Sequence, residues 1–145
     1  MLIGEYIHTV DEKNRISLPA RFRSQVGKHI VITKGLDTCL FLYSTKEWEK
    51  ISEKLSGLSF GQAGSREFSR FIFGSATEVE VDSAGRILIP DFLKKFAGLG
   101  EEKVVFAGIY NRVEIWSESR WNTNKTKVEG QADSLAEKLG EIGMI

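Results

Sequence analysis

One cysteine, Cys39, stands among 145 residues, so no disulfide can form within the chain. That fits a reducing compartment. Its setting, Cys39-Leu40-Phe41-Leu42, marks it as a small core residue and not a nucleophile. Histidine is nearly as scarce: His8 and His29 are the only two, and neither has metal-ligand spacing or a cysteine neighbour. A Gly-x-Ser-x-Gly elbow, a Walker loop and a dinucleotide fingerprint are all missing. No metal, cofactor or catalytic residue is therefore expected. Net charge is absent as well, with 20 Lys and Arg against 20 Asp and Glu. A polyanionic partner would have to be held by a local patch, not by a bulk basic field. No run approaches the roughly 18 apolar residues of a membrane span. Glu5 also interrupts the amino-terminal stretch where a secretory leader would need a continuous apolar block. The expected location is the cytoplasm, with no membrane partner.

Proline is the most telling scarcity, because both copies fall in one repeated phrase. Asp11-Glu12-Lys13-Asn14-Arg15-Ile16-Ser17-Leu18-Pro19 returns 71 positions later as Asp82-Ser83-Ala84-Gly85-Arg86-Ile87-Leu88-Ile89-Pro90. Each reads Asp, three residues, Arg, then Ile-x-apolar-Pro. Gly27 answers to Gly98 at the same shift, and after a two-residue slip Leu42 answers to Ile115 and Trp48 to Trp121. Self-similarity of this kind means two copies of one supersecondary unit, neither of which buries its apolar face alone.

The unit reads as strand, turn, strand, short helix and two closing strands. In the first copy Gly4 to Val10 is β-branched and aromatic, hence a strand, and Asp11 to Asn14 is a turn. Arg15 to Leu18 alternates as a returning strand. Pro19 opens a helix over Ala20 to Val26, closed by Gly27. Strands follow at Ile30–Thr33 and Cys39–Tyr43, then a helix begun by the capping box Ser44-x-x-Glu47. The division is a single domain over 1–145: repeat one at 1–56, a glycine-bearing linker and Phe-rich helix at 57–74, repeat two at 75–121, and a helical tail at 122–145. In the tail Trp121, Val128, Leu135 and Ile142 recur every seven residues. That stripe needs a partner surface, and the reading taken is packing on the chain's own body, with a neighbouring subunit as the other choice. Gly130 weakens the helix by roughly 1 kcal/mol and is a possible break.

Charge-bearing chemistry gathers at the repeated turn. Asp shapes a turn, and pairing with an Arg four residues on would by itself only close it, for about 0.2–1 kcal/mol if exposed. The company of the first copy adds more. Lys13, Asn14 and Arg15 stand together, with Arg21 and Arg23 one short helix away. Lys and Arg neutralise phosphates, and Asn and Arg donate to base edges. Ser83, Gly85 and Arg86 form a second, weaker version, with Lys94 and Lys95 on the following helix. Candidate DNA-facing residues are Lys13, Asn14, Arg15, Arg21 and Arg86, and Asp11 and Asp82 are turn-shaping residues.

These residues resemble the MraZ family of bacterial transcriptional regulators, within the AbrB-type swapped-hairpin superfamily. The likeness spans nearly the whole chain, from Gly4-Glu5-Tyr6 through the two Asp-x-x-x-Arg phrases to Val113-Glu114-Ile115-Trp116. It implies an α+β, mainly β, fold. In it the two tandem repeats intertwine into one pseudo-twofold swapped-hairpin β-barrel, with flanking short helices and a C-terminal helix. It further implies a homo-oligomeric ring on the nucleoid. Such a ring would bind double-stranded DNA at short direct repeats in the promoter of a cell-division and cell-wall gene cluster. Carried over by position, the first turn faces DNA. Arg86 occupies the matching slot of the second, where Ala84 replaces Lys13. The rival from another class is a ring-forming scaffold without specific DNA binding. A barrel enzyme using Asp11 or Asp82 as acid or base is disfavoured, because the nearby arginine keeps each carboxylate ionised, which is wrong for an acid at neutral pH.

Overall fold

A computed structural model describes residues 1–145. Eight strands and five helices follow in the order β1 (Leu2–His8), β2 (Arg15–Ser17), α1 (Ala20–Val26), β3 (His29–Lys34), β4 (Leu40–Ser44), α2 (Thr45–Ser56), α3 (Ala63–Phe73), β5 (Thr77–Glu80), β6 (Arg86–Leu88), α4 (Asp91–Ala97), β7 (Val104–Tyr110), β8 (Val113–Ser117) and α5 (Glu118–Glu141). The unit β–β–α–β–β–α thus occurs twice, as the repeated phrase requires. Pro19 and Pro90 each stand at the N-cap of a seven-residue helix. A proline there forfeits only an N–H that would lack a helical partner anyway. Ser44 caps α2 by accepting from the Glu47 N–H at 3.2 Å.

The repeats are laced through one another. β1 of the first pairs antiparallel with β7 of the second, from Leu2↔Tyr110 to His8↔Val104. β5 of the second pairs with β3 of the first, from His29↔Glu80 to Ile32↔Thr77. β2 and β6 pair with each other, Ile16 facing Ile87 at the centre. The strands flanking each turn therefore do not form a hairpin with one another, contrary to the simple reading of Arg15 to Leu18 as a returning strand. Beyond the three-residue ladder, Leu18 N–H donates to Gly85 C=O (2.9 Å) and Ile89 N–H to Asn14 C=O (3.0 Å). Each repeat's chain thus ties down the turn of the other.

Closure into a barrel is not what the ladders give. Six strands form one sheet in the order β1-β7-β8-β4-β3-β5, and β2-β6 is a separate ribbon. β1 and β5 are the edges of that sheet. The physical reason lies in the short inner strands. The proline two residues past each ribbon strand has no N–H to donate, and the turn before each strand spends its amides on an aspartate.

Apolar side chains from both halves fill one core. At the shift of 71, Ile16 and Ile87, Leu18 and Ile89, Phe22 and Leu93, and Val26 and Ala97 are all buried, and all belong to a single cluster. A smaller cluster of Cys39, Val105 and Trp116 lies outside it, with Trp121 packed on it. Cys39 is fully buried there, and burial pushes its thiol well above the ordinary range. It is the inert core residue its sequence setting suggested.

α5 departs from the expected packing. Its first two turns dock: Trp121 Nε1 and Lys125 Nζ both donate to Glu5, at 2.6 and 2.7 Å, and Trp121 meets Trp116 edge-on. The helix then continues unbroken through Gly130 to Glu141, about 36 Å in all. Val128, Leu135, Leu139 and Ile142 remain exposed. Of the heptad stripe only Trp121 reaches the body. The other contacts of α5 with the body also lie in its first turn, where Ser119 donates to Glu102 and Arg120 donates to the Thr38 and Phe96 carbonyls.

Candidate nucleic-acid interface

Two turns of the same geometry emerge from the ribbon. In the first, Asp11 Oδ1 accepts from the N–H groups of Lys13 (2.8 Å) and Arg15 (2.9 Å), and Oδ2 accepts from Arg15 Nε (3.0 Å). In the second, Asp82 Oδ1 accepts from Ala84 (2.9 Å) and Arg86 (2.8 Å), and Oδ2 from Arg86 Nε (3.1 Å). The fourth residue must adopt positive φ, which Asn14 does at 61° and Gly85 at 79°. Asparagine tolerates this region better than most side chains, and glycine takes it freely. Asp11 and Asp82 thus shape the turns, and Arg15 and Arg86 close them.

These carboxylates titrate below the ordinary aspartate range. The backbone N–H of Arg15 or Arg86 is the largest cause, followed among the lowering contributions by the N–H of residue 13 or 84 and the arginine side chain. A folded-state pKa below the unfolded one contributes stability above the ordinary aspartate value and loses it as pH falls through the lowered value. Both turns therefore keep their shape and charge throughout the neutral range.

Closing the turn engages only one edge of each guanidinium. The terminal amino groups of Arg15 and Arg86 make no hydrogen bond within the chain, and about a third of each side chain is exposed. Lys13 is exposed without an ion-pair partner, as is Arg21 on α1. The first turn thus presents Lys13, Asn14 and Arg15 together, and the second presents Arg86 beside Ser83 and Ala84.

Sequence proximity misplaces the helical cations. α1 belongs to the first repeat but lies beside the second turn, where the Arg23 guanidinium covers Gly85 so closely that a Cβ there would collide with it. Reciprocally, Lys94 of α4 reaches back to the first turn, its Nζ donating to Asn14 Oδ1 at 2.6 Å. Arg23 and Lys94 stand 71 positions apart, the repeat shift. The basic cluster read from Lys13 to Arg23 is therefore divided between the two turns, and Lys94 takes the place of Arg23 at the first. Crossing of the repeats is the signal that local spacing omits. Lys95 is taken up by Asp91 at 3.1 Å.

No group of His, Cys, Asp or Glu side chains in the molecule could hold a metal ion, and no helix is long and apolar enough to cross a membrane. What the two turns can do is donate hydrogen bonds and positive charge to an anionic surface.

Comparison with known proteins bears on the same repeats. The family model of the MraZ protein, described as antitoxin-like, matches the chain twice, over residues 1–71 and 72–139. The transcriptional regulator MraZ of Moorella thermoacetica is 49% identical over 139 residues, covering 96% of each chain. Its counterpart in Caldicellulosiruptor bescii is 47% identical over 144 residues, covering 99% of this chain and all of that one. That of Acetivibrio thermocellus is 45% identical over 144 residues, with the same coverage.

Proposed function

Because this chain belongs to the MraZ family of transcriptional regulators and not to an enzyme family, we propose that it binds double-stranded DNA sequence-specifically through the Lys13-Asn14-Arg15 turn. The observation that carries the reading is the unbonded terminal edge of Arg15, held in a pre-formed turn beside exposed, unpaired Lys13, on a body of zero net charge. Arg86, in the same frame but without a lysine beside it, is the weaker contact, and Arg21 adds charge from α1. The target is short direct repeats in the promoter of a cell-division and cell-wall gene cluster. The protein acts there in the cytoplasm, on the nucleoid.

The finer architecture follows the same line. Exchange of β1 and β5 between repeats supports a swapped-hairpin, pseudo-twofold body of AbrB type, with repeat one at 1–56, repeat two at 75–121 and a tail at 122–145. A homo-oligomeric ring is the working form. One turn offers about two phosphate contacts, too few for tight binding alone. Several turns facing one way turn later contacts into intramolecular events, and avidity rises by roughly 10²–10⁴-fold. The exposed distal stripe of α5 is compatible with self-association, and it is also what a DNA-independent scaffold would carry.

Salt separates the two. A titration of duplex binding against ionic strength is expected to fall with a log–log slope of about −0.9 per phosphate contact, hence roughly −1.8 for each engaged subunit. A scaffold would give no salt-dependent affinity for DNA. Absence of any slope would contradict the proposal.

A further inference from the structure

Asn14 is held from the opposite repeat at two points. Ile89 N–H donates to its main-chain carbonyl at 3.0 Å, and Lys94 Nζ donates to its side-chain Oδ1 at 2.6 Å. An ammonium group only donates, so the amide's orientation is settled by chemistry: oxygen faces Lys94 and the NH₂ group faces away. That NH₂ has no partner within the chain, and its neighbours in sequence are exposed Lys13 and Arg15, whose terminal amino groups are unbonded. Lys94 is itself half-buried, its aliphatic stem running beside Gly100, where an added Cβ would lie 3.0 Å from Cε. Its ammonium group is thus held against the amide oxygen.

We propose that Lys94 is a positioning residue that fixes the orientation of the Asn14 amide with its NH₂ group turned away from α4, so that the first turn favours a base edge presenting an acceptor. With both faces free, an asparagine amide pairs with adenine through one donor and one acceptor. With Oδ1 turned towards Lys94, Asn14 presents its N–H groups away from it, which suits a base-edge acceptor in the major groove such as guanine N7 or O6, adenine N7 or thymine O4. The second turn lacks this device. Gly85 stands in place of Asn14, and Arg23, the counterpart of Lys94, covers it with no side-chain acceptor to meet. The two turns of one subunit are therefore unequal. The first reads a base, and the second, through Arg23 and Arg86, holds the backbone.

This inference rests on the DNA-binding reading above, and the test keeps the two apart. Wild type, Asn14→Ala, Lys94→Met and Lys94→Arg are titrated against the promoter duplex, a set of single-base variants of it and an unrelated duplex, at several salt concentrations. Wild-type discrimination between promoter and unrelated duplex tests the reading itself, and its absence would overturn both. Given that discrimination, Asn14→Ala and Lys94→Met are expected to lose preference at the same base position, each by about five-fold or more. The double variant should lose no more than either alone. Lys94→Arg, which still donates, should retain most of the preference. For Lys94→Met, affinity for the unrelated duplex and the salt slope should stay as in wild type. A Lys94→Met protein that binds every duplex more weakly, with its slope reduced by about 0.9, would make Lys94 a phosphate contact and overturn the proposal. Losses at different base positions, or losses that add, would overturn it equally. Melting curves of each variant ensure that a loss of binding is not a loss of fold.

Discussion

Replacing Arg15 by alanine is expected to abolish promoter binding while leaving fold and assembly size as they are. The separation of effects comes from how the turn is built. Asp11 holds the loop mainly through main-chain donors, the N–H groups of Arg15 and Lys13, and alanine at position 15 retains both. Only the guanidinium goes. Its Nε contact to Asp11 is part-exposed, and pairs of that kind contribute less than about 1 kcal/mol to stability. Its outward edge is worth more to DNA. One specific arginine contact contributes about 1–3 kcal/mol, and an assembly on repeated boxes loses that amount at every box. Two boxes alone give a deficit of roughly 2–6 kcal/mol, which is 30-fold at the least. Anisotropy titration measures the loss, and light scattering of the same sample checks the mass. The corresponding Arg86→Ala protein should lose less, because Ala84 leaves its turn without the neighbouring lysine.

Phe22→Ala is expected to destabilise the whole chain by about 3–5 kcal/mol, against a typical total of 5–15 kcal/mol. Phe22 is 1% exposed and meets Tyr6 edge-on at 5.2 Å between ring centres. It belongs to the core that also holds Leu93, its counterpart in the second repeat. Since β1 and β5 each complete the sheet of the other repeat, neither half has its own core to fall back on. Damage in the first repeat should therefore unfold the second in the same transition. Trp48 reports on the first repeat, and Trp116 and Trp121 report on the second. In single-tryptophan proteins, fluorescence transitions in denaturant should coincide, with and without the substitution. Two separated transitions would mean that the repeats fold as independent globules.

Much of this molecule can be read in its sequence, and the omissions share a cause. The duplication, the two turns, the proline-led helices and the Ser44 cap are local signals, and each depends on residues within a few positions. Asp11 and Asp82 are legible as turn residues for the same reason. Where contacts cross between repeats, local spacing misleads. Arg23 lies eight residues from Arg15 in the chain, yet it covers the turn at Gly85, and Lys94 serves the turn at Asn14. The strands around each turn alternate as a hairpin would, but β1 pairs with β7 and β2 with β6, each across the repeats. The tail stripe is a further case. A heptad of apolar residues announces a helix face, but only Trp121 finds Trp116 and Glu5 to dock against. An amphipathic pattern specifies a face and not its occupant.

The most direct test of a DNA-binding first turn is an electrophoretic shift. The duplex upstream of this chain's own reading frame is compared with an unrelated duplex of equal length, in the same buffer at physiological salt. The upstream duplex should shift at a protein concentration at least tenfold lower. Equal shifts of the two duplexes, or none, would contradict the assignment.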